Sequence, residues 1–313
     1  MQVFLICFVL KNQIYLYKIT FVKQFEDAAD SLARFDAAVT AAPFGAAIVL
    51  RLLCTAQLTT GTREALHRFL AAEADPFHDA ALTPTERGIR DGLVEEERRT
   101  RSGGLPSLTR LQLLDPALET YPAADRLEAA LRPTEARAVL DRLLDIAAWA
   151  PSRAAGECLA ALTLVSAGRT DHLILLPFST VEDDDARAAA LDAWRAGDEA
   201  PWRTLALTSL LSRLATLHEA LRAITAGQSR EDDRLTALGR AAVTTRPALA
   251  LLRRNVLLTM PILAEDLGCS RPAAQQMLDR LTSLGVAREL TGRGRDRVWG
   301  YEPAIGRLGA ALE

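Results

Sequence analysis

Apolar residues recur at three- and four-residue steps along most of the chain after Phe25. That spacing sets one face of an α-helix against a core. It predicts helices over residues 27–42, 44–55, 63–74, 83–99, 133–149, 153–167, 186–196, 202–224 and 231–254. The first should stop before Pro43, because the residue preceding a proline is disfavoured in helix. Thr83-Pro-Thr-Glu86 reads as a capped start, with threonine hydroxyls and a first-turn glutamate facing the unpaired amides. Residues 98–106 (R-R-T-R-S-G-G-L-P) read as a loop with a solvated basic edge, and 172–178 are too short to assign. The acidic run 182–185 suits a helix N-terminus, where negative charge meets the positive end of the dipole. The expected fold class is mainly α: a multi-helix body followed by a C-terminal winged helix-turn-helix with a small β-hairpin wing.

The pattern changes near the C-terminus. Over 259–301 a short helix should open at Met260-Pro261, bury Ile262, Leu263 and Leu267, and stop at Gly268, which adopts the left-handed conformation cheaply. Ser270 should cap a second helix whose Ala274, Leu278, Leu281 and Leu284 face the core and which ends at Gly285. Residues 287–291 and 297–301 alternate like strands on either side of Gly292-Arg-Gly-Arg-Asp296. Helix, tight turn, helix and basic hairpin together read as a winged helix-turn-helix. The domain organisation follows: 1–25 atypical, 26–180 a helical domain, 181–254 a helical connector and 255–313 the DNA-binding unit.

Such a unit binds rather than catalyses. Arg271, Gln275, Gln276 and Arg280 should point outward from the second helix, where Arg can read guanine and Gln adenine in a major groove. Ser270 sits at its start. Arg293, Arg295 and Arg297 on the wing should meet phosphates or a minor groove. Residues 253–301 hold eight arginines against five acids, a local charge of +3 in a chain of net charge −3. A basic surface on an acidic body is the footprint of a nucleic-acid binder. Double-stranded DNA is therefore the expected partner, read by a homodimer if the operator is two-fold, with transcriptional regulation as the role. The other reading makes the unit an interaction or antitoxin-like module for protein contacts.

With 49% apolar and 25% charged residues, composition is that of an ordinary globular protein. Cys7, Cys54, Cys158 and Cys269 are singletons in apolar or helical contexts, which suits free thiols in a reducing cytoplasm. His67, His78, His172 and His218 are scattered, so no metal or cofactor is expected. All three lysines (Lys11, Lys18, Lys23) lie in the first two dozen residues, whereas Arg and Ala dominate afterwards. The apolar run 1–10 is too short to span a bilayer and lacks the features of a secretory signal. This opening is expected to be foreign to the fold, translated from an upstream start codon, with no membrane role.

Residues 187–211, with Trp194-Arg-Ala-Gly-Asp198 and then Trp202, resemble the helices that follow the catalytic core in Fic-family proteins. Leu290-Thr-Gly-Arg293 is similar to the wing that closes many of them. The resemblance implies an AMP-transferase layout, whose catalytic loop H-P-F-x-D/E-G-N-G-R supplies a base, a metal ligand and a phosphate cradle. At the comparable place, residues 143–165 contain no histidine, and only Arg153 and Gly156 echo the loop. Ala56-Gln-Leu-Thr-Thr-Gly61 stands where the family carries its inhibitory Ser-x-x-x-Glu-Gly, with Ala56 for the serine and Thr60 for the glutamate. The expectation is a degenerate, non-catalytic relative, with a diverged AMP-transferase as the enzymatic alternative.

Overall fold

The computed structural model describes residues 23–59, 63–74, 82–106, 122–132, 139–150, 152–174, 184–292 and 295–311. Thirteen helices and one three-stranded sheet near the C-terminus make up the described residues. The body comprises α1 (Lys23–Ala41), α2 (Ala46–Thr59), α3 (Arg63–Ala74), α4 (Pro84–Arg101), α5 (Ala124–Leu131), α6 (Val139–Trp149), α7 (Arg153–Ser166) and α8 (Asp184–Arg195). It continues into α9 (Ala200–Thr236) and α10 (Arg240–Asn255). The remainder is β1 (Leu257–Thr259), α11 (Met260–Asp266), α12 (Arg271–Ser283), β2 (Ala287–Glu289), β3 (Val298–Tyr301) and α13 (Glu302–Ala310).

Local rules account for several of these boundaries. Thr83 accepts from the Glu86 amide at 3.1 Å while Glu86 accepts from the Thr83 amide at 2.8 Å, a reciprocal cap that starts α4. That helix runs on to Arg101, past the expected loop, because Glu95, Glu96 and Glu97 pair with Arg98, Arg99 and Arg101 one turn later. The described part of 133–149 is helical from Val139. The stretch 172–178 enters the described residues only as far as Ile174, where it forms no helix or strand.

The connector differs from its expected form. Instead of two helices broken near residue 225, α9 is one continuous helix of 37 residues. Gly227 does not end it; the chain turns at Leu238-Gly239, with Gly239 at φ +61°. Trp202 anchors its N-terminal end, fully buried, with Nε1 donating to the Leu144 carbonyl of α6 at 3.0 Å. Beside it Arg203 pairs with Asp141 and Glu199 and lies 5.4 Å from the Trp194 ring centroid. The two tryptophans that carry the Fic-like pattern thus serve packing.

The C-terminal unit is not a bead on a string. Phe44, at the corner between α1 and α2, stacks obliquely on Tyr301 at 6.1 Å between ring centroids. The Gly45 amide donates to the Arg253 carbonyl at 3.1 Å, and α2 and α3 cover β1, β3 and α13. Val256 follows α10 at φ +63°, fully buried, an uncommon conformation for a β-branched residue that its surroundings must hold in place. Its amide donates to Leu252, and its carbonyl accepts from Tyr301 at 2.7 Å. No single helix among the described residues is long and apolar enough to cross a membrane.

Candidate nucleic-acid interface

The sheet has strand order β1-β3-β2, antiparallel throughout, with Trp299 paired to Leu258 on one side and Glu289 on the other. β1 is absent from the sequence expectation because its three residues, Leu-Leu-Thr, are buried throughout and show no alternation. Between β1 and β2 stand two helices. Thr259 caps α11 by accepting from the Ile262 amide at 3.4 Å, and Ser270 caps α12 by accepting from Ala273 at 3.4 Å. Gly268 and Gly285, at φ +58° and +68°, end the two helices as expected. Leu263, Ala274, Met277, Leu278 and Leu281 fill the core. Ile262 does not: it is 37% exposed, because Thr259 starts the helix and Leu263 takes the inward position.

Arg271 opens α12 exposed, and Gln276 is exposed one turn later; neither has a hydrogen bond or ion pair among the described residues. Gln275 is half-buried and donates through Nε2 to Asp279 Oδ1 at 2.7 Å. Four-residue spacing on a helix brings these two side chains together, so the contact was legible in the sequence. Arg280 departs from its expected outward direction. It is half-buried, with Nη1 3.4 Å from the hydroxyls of Thr244 and Thr245, because α12 packs that side against α10.

The loop between β2 and β3 is organised by a carboxylate. Glu289 accepts from the amides of Thr291 (2.8 Å) and Gly292 (3.1 Å) and from the Thr291 hydroxyl. Arg295 is exposed without a partner among the described residues. Arg297 is half-buried with its guanidinium 5.6 Å from the Trp299 ring centroid, so part of its charge is spent within the fold. Arg293 lies outside the described residues.

The positive charge counted in the sequence is therefore only partly available. Arg288 pairs with Glu302 at 3.3 Å. Arg253 is buried against α9, 2.8 Å from Glu231 and 3.1 Å from Asp232, and donates to the Gln228 carbonyl at 2.9 Å. Burial alone would lower its pKa; the bonds to Glu231 outweigh it and hold the pKa above the ordinary value. Glu231 also accepts from the Tyr301 hydroxyl at 3.0 and 3.1 Å. Burial, followed by the Glu231 charge, pushes that phenol well above its usual range. Arg271 and Arg295 remain as the clearest available cations, and the neighbouring α11 carries the exposed acids Glu265 and Asp266.

No group of three or more His, Cys, Asp or Glu comes together among the described residues. No protein-family model matches the chain, and a search of curated proteins finds no relative.

Proposed function

We propose that residues 255–313 form a winged helix-turn-helix that binds duplex DNA, and that the protein is a transcriptional regulator. The observation that carries the reading is at the start of α12. Arg271 and Gln276 stand exposed and unpartnered among the described residues on the first turns of a Ser270-capped helix that follows another helix across a tight turn. Arg295 supplies a phosphate contact from the loop between β2 and β3, and Arg293 and Arg297 are assigned to the same surface. Gln275 reads bases only if it exchanges Asp279 for DNA. With few available cations, useful affinity requires two copies on a two-fold site.

Binding by the full chain to a duplex selected from a random pool tests this, measured by fluorescence anisotropy across a salt series. Arg271→Ala with Arg295→Ala should flatten the salt slope by about one unit for each phosphate no longer neutralised. Salt-independent binding, or no binding, refutes it. A protein-contact or antitoxin-like role is the second reading, favoured by Val243 on α10, which is 75% exposed. We assign the helical body no catalytic step and keep its kinship with degenerate Fic-like proteins as a proposal.

A further inference from the structure

A small cleft lies where α9, the turn after α12 and the first turns of α13 meet. Gly227, Arg230, Arg234, Gly285, Glu302 and Arg307 help line about 190 Å³ of space. Three arginines on two helices thus line it. Arg230 and Arg234 stand one turn apart on α9, a like-charge pair that costs stability in isolation. Arg230 and Arg307 are exposed and have no ion pair or hydrogen bond among the described residues. Arg234 makes one bond, from Nη1 to the Leu284 carbonyl at 3.3 Å.

The two acids beside them pair with other residues. Glu231 is consumed by Arg253 and Tyr301, and Glu302 directs Oε1 to Arg288 at 3.3 Å while its Oε2 is buried and accepts no hydrogen bond. A side chain at Gly285 would meet no atom within 4 Å, so the turn leaves the cleft open on that side. None of the three arginines forms an ion pair among the described residues, although the Glu302 carboxylate lies beside them. Volume and charge suit one compact oxyanion, since pockets for drug-sized ligands start at about 300 Å³. Guanidinium forks match phosphate and carboxylate oxygens in pairs.

We propose that this cleft binds a small free oxyanion of phosphate or carboxylate chemistry, bridging α9 to α13 through Arg230, Arg234 and Arg307. A phosphate of bound duplex is the less suited occupant. Gly285 stands at the opposite end of α12 from Arg271, about 20 Å away at helical rise. The site is independent of DNA binding.

Isothermal titration of the full chain with inorganic phosphate, at constant ionic strength in chloride, should give saturable binding with Kd at or below about 1 mM. Arg230→Gln with Arg307→Gln should weaken it at least about tenfold, and Arg307→Lys should retain most of it. Absence of saturable heat, or full affinity in the double variant, overturns the proposal. A measurement on the unaltered protein guards against a misfolded variant: phosphate should protect Arg230 and Arg307 from phenylglyoxal, read by peptide mass mapping. No protection overturns the assignment. A duplex in phosphate-free buffer should leave both arginines reactive; their protection by duplex would place them on a DNA surface and overturn the free-anion site.

Discussion

Replacing Glu231 with alanine should loosen the C-terminal unit from the body more than any other single change in the connector. Its side chain is 7% exposed and serves two partners, Arg253 at 2.8 Å and the Tyr301 hydroxyl at 3.0 Å. Removing one member of a buried ion pair costs about 3–5 kcal/mol, because the survivor keeps a desolvated charge. Arg253 would retain Asp232 and the Gln228 carbonyl, which places its share at the low end. Tyr301 would keep no acceptor among those observed, adding about 1–3 kcal/mol for a buried orphan hydroxyl. A total of about 4–6 kcal/mol follows. Tyr301→Phe alone should cost only about 1 kcal/mol, since Glu231 keeps Arg253. The double variant should cost less than the sum of the two, because phenylalanine leaves no hydroxyl to orphan. Urea denaturation followed by circular dichroism gives all three values. A Glu231→Ala cost below about 1 kcal/mol, or strict additivity, would show that the cluster does not join connector to sheet.

Glu157 on α7 makes the folded state sensitive to pH. Burial raises its pKa to about 8, against the opposing charges of Arg153, Arg187 and Arg213, and its Oε1 accepts no hydrogen bond. The folded chain thus holds a proton that the unfolded chain releases, so stability should fall as pH climbs from the ordinary carboxylate range through about 8. Glu157→Gln should remove that slope and stabilise the protein at pH 8 by roughly 1–4 kcal/mol; an unchanged Tm–pH profile in the variant contradicts this. In Gly45→Ala the new Cβ would fall 2.8 Å from Val256 Cγ2 and 2.9 Å from the Arg254 carbonyl oxygen. It should cost about 1–3 kcal/mol in thermal unfolding, and a neutral result would refute the tight corner. Arg280→Ala should lower stability by about 0.5–1.5 kcal/mol while leaving base preference intact, whereas a relaxed preference in pool selection would return Arg280 to the base-reading surface.

What the sequence made legible was governed by local rules. Thr83, Ser270, Gly268 and Gly285 fixed helix ends because capping hydroxyls and left-handed glycines act within a few residues. Leu263, Ala274, Leu278 and Leu281 were found by periodicity. The errors share a different cause. Ile262 and Arg280 were assigned directions from a single helix, but Leu263 and the α10 surface decided them. Arg253 and Arg288 were counted as surface charge, though their partners, Glu231 and Glu302, lie outside the stretch in which charge was summed. β1 and α5 are short and lack the alternation or length that periodicity needs. The expected break between 224 and 231 does not occur, because the flanking turns carry α9 through Gly227.

The contact of Phe44 and Gly45 with Tyr301 and Arg253 joins segments far apart in sequence, and this bears on how the protein is made. During synthesis the corner between α1 and α2 emerges long before the strand that covers it. Until then the apolar side of that corner has no cover, and pairings this distant in sequence form slowly. The nascent chain should therefore be most vulnerable to aggregation just before β3 is complete. A product truncated ahead of Val298 would retain that exposed face for its lifetime.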